Sequence, residues 1–101
     1  MQIVIRLGSM SQNLNIKVDD EKSIFLLNGK PKDVDIDKFV MRLQVIIASW
    51  DFMMVNNSIV DGSWYQIDIK LGNKTRKYVG KNAFPLNYDE FINLINEVAV
   101  W

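Results

Sequence analysis

The fold is decided by residues 64–81, which read WYQIDIKLGNKTRKYVGK. In the first half of this stretch, apolar side chains at every second position alternate with polar ones, apart from Trp64 at the start. A period of two is typical of a strand with one buried face. Gly72 and Asn73 follow, and glycine at the first central position is what a type II′ turn requires. The stretch therefore predicts a β-hairpin with Gly72-Asn73 at its tip.

The register of the hairpin follows from that turn. The predicted cross-strand neighbours are Ile67 with Tyr78, an aliphatic–aromatic pair, and Asp68 with Lys77, an ion pair on the opposite face. The same register places Arg76 beside Ile69 on the face expected to be buried. A one-residue bulge would remove this conflict. The sequence leaves a regular and a bulged hairpin open.

A helix is predicted after the hairpin. Asn87 is in the N-cap position with Glu90 three residues on, as in a capping box, and Leu86 and Phe91 occupy the two positions of a hydrophobic staple. The apolar stripe of this helix consists of Tyr88, Phe91, Ile92, Ile95, Val98 and Ala99. Such a stripe predicts one face packed on a sheet. The last two residues, Val100 and Trp101, are expected to fold back against the sheet or, alternatively, to contact another subunit.

An earlier helix is predicted to begin near Asp35, whose carboxylate can cap free backbone N–H groups, with Asp37 adding negative charge in the first turn. Its apolar stripe consists of Ile36, Phe39, Val40, Leu43, Ile47 and Trp50. Val45 and Ile46 widen the stripe, so we expect burial on more than one side.

Three short strands are predicted before the first helix, at residues 3–7, 14–18 and 23–27, with the cluster Asn28-Gly29-Lys30-Pro31 ending the third. Residues 51–60 fit a helix extension, a packed loop or a strand. The order β-β-β-α-β-β-α predicts one α+β domain over residues 1–101, a mainly antiparallel sheet with both helices on one face.

Composition excludes several chemistries. The chain has no His and no Cys, so disulfides, the usual zinc sites, cysteine nucleophiles and imidazole bases are absent. Neither a G-x-S-x-G nor a glycine-rich phosphate loop occurs. Asp33, Asp35 and Asp37 have the spacing of a calcium loop but lack its sixth-position glycine and twelfth-position glutamate. We therefore predict a protein that is not an enzyme and has no catalytic residue, cofactor or metal.

An acid pair formed by Asp61 and Asp68 is the remaining enzymatic alternative. No apolar run is long enough to span a membrane, and with no cysteine and no basic leader we expect a cytoplasmic protein. The abundance of Asn, Ile and Lys suggests an AT-rich, bacterial genome.

A basic segment is hidden by overall neutrality, since 12 basic and 12 acidic residues cancel. Residues 62–86 carry five cations against one acid, whereas residues 87–101 carry three acids and no cation. The predicted partner-binding residues are Lys70, Lys74, Arg76, Lys77, Lys81, Trp64 and Tyr78. Such a patch suits a protein partner with an acidic surface. Nucleic acid is the alternative partner, and lysines that merely keep a sheet edge soluble are the simplest explanation.

The second half has Asp61, Gly62 and Trp64 at the start of a strand, and Tyr78, Gly80, Asn82 and Pro85 before the closing helix. In this pattern it resembles small uncharacterised bacterial proteins, some of them immunity-type proteins encoded beside toxins. The resemblance covers roughly residues 60–97, and the first 55 residues do not share it. It implies that Gly80 and Pro85 shape the strand-to-helix connection, that Asn82 bonds the turn backbone, and that the protein is an immunity- or regulator-like interaction module.

Overall fold

The structure, a computed structural model, describes residues 1–9, 11–56 and 62–99. The strands are β1 (Gln2–Gly8), β2 (Asn13–Asp19), β3 (Ile24–Leu27), β4 (Lys30–Pro31), β5 (Met53–Val55), β6 (Trp64–Leu71) and β7 (Lys74–Lys81), and the helices are α1 (Ile36–Ile47) and α2 (Tyr88–Asn96). The predictions that involve Asp61, Val100 and Trp101 fall outside the described residues. The predicted α+β class is confirmed.

The strands form one sheet in the order β4-β3-β2-β1-β6-β7-β5. Every described neighbour pair is antiparallel except β5 with β7, which is parallel. The sheet is therefore mainly antiparallel, as predicted. Strand β1 lies at its centre because it pairs with β2 on one side and β6 on the other, which connects the two halves of the chain.

The core lies between one face of the sheet and the two helices. A row of apolar side chains crosses four strands in register: Ile16, Ile5, Ile67 and Tyr78, all buried. The helices cover this face with Phe39, Val40, Leu43, Ile46, Ile47, Phe91, Leu94 and Ile95, which are also buried. The period of two in the strands and the stripes of both helices thus meet in one layer.

The hairpin of residues 64–81 is regular. Ile67 pairs with Tyr78, Asp68 with Lys77 and Ile69 with Arg76, so no bulge interrupts the strands. Gly72 has a φ of 58° whereas Asn73 does not have a positive φ, which is the type II′ pattern. The conflict at Arg76 disappears because its side chain is exposed over a cleft at the end of the sheet instead of entering the core.

The predicted ion pair between Asp68 and Lys77 is wrong although the register is right. The Asp68 carboxylate accepts a hydrogen bond from Gln66 Nε2 at 2.9 Å. Among residues 1–9, 11–56 and 62–99, no carboxylate lies within 4 Å of the Lys77 ammonium group. The partner of Asp68 is therefore Gln66, two residues before it on the same strand, and not Lys77 on the neighbouring strand.

Strand β4 was not predicted, and strand β5 was one of the alternatives left open. Asn28 and Gly29 have φ values of 50° and 82°, so the expected chain break is the turn of a second hairpin, in which Leu27 pairs with Lys30. Met53–Val55 is an edge strand, so a strand is the correct one of the three alternatives for this part of residues 51–60. Residues 57–60 lie outside the described ranges.

The helix ends differ in how well they were predicted. Asp35 caps α1 through a hydrogen bond from the Lys38 N–H at 3.2 Å, as expected. Asn87 occupies the N-cap position of α2 but makes no side-chain capping bond. Leu86 is fully exposed, so it forms no hydrophobic staple. Val45 is 73% exposed and does not widen the buried stripe of α1.

Two residues of the resembling pattern have clear structural roles. Asn82 adopts a φ of 57°, and its backbone N–H donates to the carbonyl of Ser63 at 2.9 Å. Gly80 lies within β7, where a Cβ atom would overlap the ring of Tyr65. The close approach of Tyr65, and not the connection to the helix, therefore requires glycine at position 80.

Candidate functional site

The face of the sheet opposite the helices is the candidate functional site, and we refer to it as the outer face. Because side chains alternate along a strand, the residues at even positions of β1 and β6 and at odd positions of β2 and β7 point to this side. On these four strands its side chains are those of Gln2, Val4, Arg6, Asn13, Asn15, Lys17, Asp19, Trp64, Gln66, Asp68, Lys70, Thr75, Lys77, Val79 and Lys81. None of the described helices packs on it, since both lie against the opposite face.

Five cations from four strands share the outer face: Arg6, Lys17, Lys70, Lys77 and Lys81, all exposed. In the described ranges, none of them lies within 4 Å of a carboxylate. The Asp68 carboxylate accepts its hydrogen bond from Gln66. The Asp19 carboxylate, at the end of β2, accepts hydrogen bonds from the backbone N–H groups of Glu21 and Lys22, both at 3.1 Å. The face is therefore positive and its cations are free to pair with another molecule.

These cations are spread over the face. Lys17 and Lys77 belong to one cross-strand row that also contains Val4 and Asp68, so three strand spacings, about 14 Å, separate them. Lys77 and Lys81 lie about 13 Å apart along β7. Backbone spacings of this size match charges distributed over a partner surface.

Trp64 is held at one end of the outer face. It pairs with Gly8 on β1 and Lys81 on β7. A Cβ atom on Gly8 would overlap its indole, so the indole lies directly on the Gly8 backbone. A shallow pocket of about 150 Å³ beside it is lined in part by the side chains of Arg6 and Asn15. The face thus has one positioned aromatic ring next to cations.

The structure divides the seven predicted partner-binding residues between the two faces of the hairpin. Trp64, Lys70, Lys77 and Lys81 lie on the outer face, whereas Lys74, Arg76 and Tyr78 lie on the helix side. Tyr78 is only 4% exposed, because its ring packs in the core against Ile67 and Phe52. The seven side chains therefore do not share one face of the hairpin.

Sequence reasoning missed Arg6 and Lys17. Both occupy polar positions of alternating strands, which was visible in the sequence. Their place beside the hairpin depends on the strand order β2-β1-β6-β7, which periodicity does not reveal.

A buried aromatic cluster lies on the other side of the sheet. It consists of Trp50, Tyr65, Phe84, Tyr88 and Phe91, with ring centroids 4.5–6.1 Å apart. Burial raises the pKa of Tyr88 and, with the nearby negative charge of Asp51, that of Tyr65. The Tyr65 hydroxyl has no hydrogen-bond partner among the described residues. These phenols stay protonated near neutral pH and belong to the core.

No group of three or more acidic, His or Cys side chains that could hold a metal ion occurs in the described part of the chain. In the described part of the chain, no helix combines the length and the apolar character needed to cross a membrane. No family model, curated protein or solved structure matches this chain.

Proposed function

We propose that the protein is a non-enzymatic interaction module that binds an acidic protein surface through its outer face. The observation that supports this most directly is the set of five exposed cations that have no carboxylate within 4 Å in the described ranges, on a sheet face that no described helix covers. Distributed cations of this kind steer an acidic partner into place and define its register.

Trp64 supplies the apolar contact that charges alone do not. Tryptophan is enriched among the residues that dominate binding energy, especially where the ring is held in a fixed position. The indole rests on Gly8 and has Lys81 as its cross-strand neighbour. An acidic surface with an apolar site at its border is therefore the partner that this face fits.

The placement of the cations argues against a purely solubilising role. Lysines often protect the outermost strand of a sheet from pairing with other chains. Arg6, Lys17 and Lys70 lie on β1, β2 and β6 at positions that are paired with a strand on both sides, and Lys81 is paired with Val55 of the outermost strand β5. These four cations therefore do not protect a free edge, whereas Lys77 lies on a part of β7 that β5 does not reach, because β5 pairs only with residues 79–81.

A protein partner is favoured over nucleic acid by the number of aromatic rings. Sheets that bind single-stranded RNA use two or three exposed aromatic side chains to stack bases. Among the described strands, Trp64 is the one aromatic side chain on the outer face, because Tyr78 lies on the helix side and is buried. The motif resemblance favours an immunity- or regulator-like form of this function in the bacterial cytoplasm. In that role the module occupies an acidic site of a second protein.

The test compares two double variants on the same strand. Lys77→Glu with Lys81→Glu reverses charge on the outer face, whereas Lys74→Glu with Arg76→Glu makes the same change on the helix side. Tagged proteins are used to capture partners from a lysate of the source organism, with and without nuclease. We expect an acidic protein captured by the wild type and by the Lys74/Arg76 variant, but lost with the Lys77/Lys81 variant.

Capture of the same proteins by both variants would contradict the proposal. Loss of all binding after nuclease treatment would replace the protein partner by nucleic acid. The affinity of the purified partner should also fall as salt concentration rises, because exposed charges are screened over about 8 Å at physiological ionic strength.

A further inference from the structure

A cleft lies on the helix side of the sheet, where the hairpin extends past the end of α1. Its volume is about 440 Å³, which is within the range of small-molecule sites. Its apolar wall is formed by Ile47 at the end of α1 and by Ile69, Leu71 and Tyr78 on the hairpin. Leu71 is 56% exposed, so this wall presents apolar surface to solvent. The cleft exists because α1 ends at Ile47 and does not cover the part of the hairpin that extends beyond it.

Two cations line the same cleft. Lys74 and Arg76 are two residues apart on β7, so their side chains leave the strand on the same side with a spacing of about 6.6 Å. Within the described ranges, neither lies within 4 Å of a carboxylate, and no acidic side chain lines the cleft. The guanidinium group of an arginine can hold a carboxylate or phosphate through two parallel hydrogen bonds.

The end of α1 gives the cleft a direction. The last carbonyl groups of a helix carry partial negative charge, and Ala48 at the C-cap of α1 also lines the cleft. An anionic group is therefore disfavoured beside Ala48 and favoured beside Lys74 and Arg76. An apolar group fits the wall between these two ends.

We propose that this cleft binds a small amphiphilic organic anion, with its carboxylate or phosphate head on Lys74 and Arg76 and its apolar body against Ile47, Ile69 and Leu71. This site is separate from the outer face, since the two lie on opposite sides of β7. It also gives a role to Lys74 and Arg76, the two predicted partner-binding cations that lie on the helix side and not on the outer face.

The first experiment compares head groups on one apolar body. Decanoate, decyl phosphate, decanol and decyltrimethylammonium are titrated into the intact chain below their micelle concentrations, by calorimetry and by NMR of isoleucine δ1-methyl groups. We expect decanoate or decyl phosphate to bind at least about tenfold more tightly than decanol, as charge-assisted hydrogen bonds require, and the cation not to bind. The methyl signals of Ile47 and Ile69 should shift, while that of Ile24, at the far end of the sheet, should not.

The second experiment uses matched variants at exposed positions. Lys74→Gln with Arg76→Gln should weaken anion binding by about tenfold or more, the loss expected when charge-assisted hydrogen bonds are removed, and Lys77→Gln with Lys81→Gln should leave it unchanged. Ala48→Phe should block the cleft without touching either cation. Equal affinity for decanol and decanoate, equal effects of the two double variants, or a shift of Ile24 as large as that of Ile69 would each overturn the proposal. None of these outcomes depends on whether the outer face binds a protein.

Discussion

At the scale of single residues, Asn87 connects the end of one helix to the start of the other. Its Nδ2 donates to the carbonyl of Ile46 at 2.8 Å, and its Oδ1 accepts from Trp50 Nε1 at 2.6 Å. The sequence predicts this residue as a cap because asparagine is common there. In the structure the amide instead satisfies two groups of α1 and its C-terminal extension, a role that depends on the packing of the helices.

Asn87→Ala should therefore destabilise the protein more than the loss of a cap would. Trp50 is 6% exposed, so the variant leaves its N–H, together with the Ile46 carbonyl, without a partner. We expect the free energy of unfolding, measured with urea, to fall by about 2–3 kcal/mol. Asn93→Ala, on the exposed side of α2, is the control and should change it by less than about 0.5 kcal/mol. Equal effects of the two substitutions would show that the bridge contributes nothing.

The buried phenols of Tyr65 and Tyr88 should make the protein sensitive to alkali. Their pKa values are raised above the ordinary value of 10, mainly by burial. Above pH 10 the unfolded chain therefore binds fewer protons than the folded chain, and the free energy of unfolding falls as pH rises towards the folded pKa values. Below pH 10 both states are protonated, so these groups cause no pH dependence there.

Denaturant unfolding at several pH values from 9 upward, on the scale set by an ordinary tyrosine pKa of about 10, would measure this fall. Tyr88→Phe should make the decline shallower because it removes one of the two groups. An identical pH profile for wild type and variant would show that Tyr88 ionises at the same pH in both states.

At the scale of secondary-structure elements, the accuracy of sequence reasoning depends on length. Strands of seven or eight residues and the 12-residue helix α1 contain enough periods to be recognised. Strands β4 and β5 have two and three residues, too few for a period to appear. The hairpin cations could be predicted from composition, whereas their division between two faces required the register, and the contribution of Arg6 and Lys17 required the strand order.

Strand β5 is an exposed edge with apolar side chains. Met53 is 71% exposed and Val55 is 43% exposed, and the chain offers no cation within β5 to discourage pairing with another molecule. We expect Met53→Lys to reduce concentration-dependent association, measured by light scattering, with a change of less than about 0.5 kcal/mol in the free energy of unfolding.

Met41→Lys, at an exposed apolar position of α1, is the matched control and should have a smaller effect on association. If both substitutions reduce scattering equally, general surface charge and not the edge of the sheet is responsible.

At the scale of the whole molecule, the sheet separates two surfaces of different chemistry. The outer face spreads five cations across four strands, and the cleft concentrates two cations beside an apolar wall. The overall neutrality of the chain hides both, because acids elsewhere in the sequence balance the total. Net charge therefore describes this protein less well than the charge of each face does.

The two-residue tip at Gly72-Asn73 sets which cations belong to which surface. Surface loops usually accept insertions and deletions at little cost. Here the loss or gain of a single residue would slide β7 by one step, turn Lys74 and Arg76 outward and carry Lys77 towards the core. Among descendants of this chain, the length of that tip should consequently be inherited unchanged, even where the amino acids around it vary.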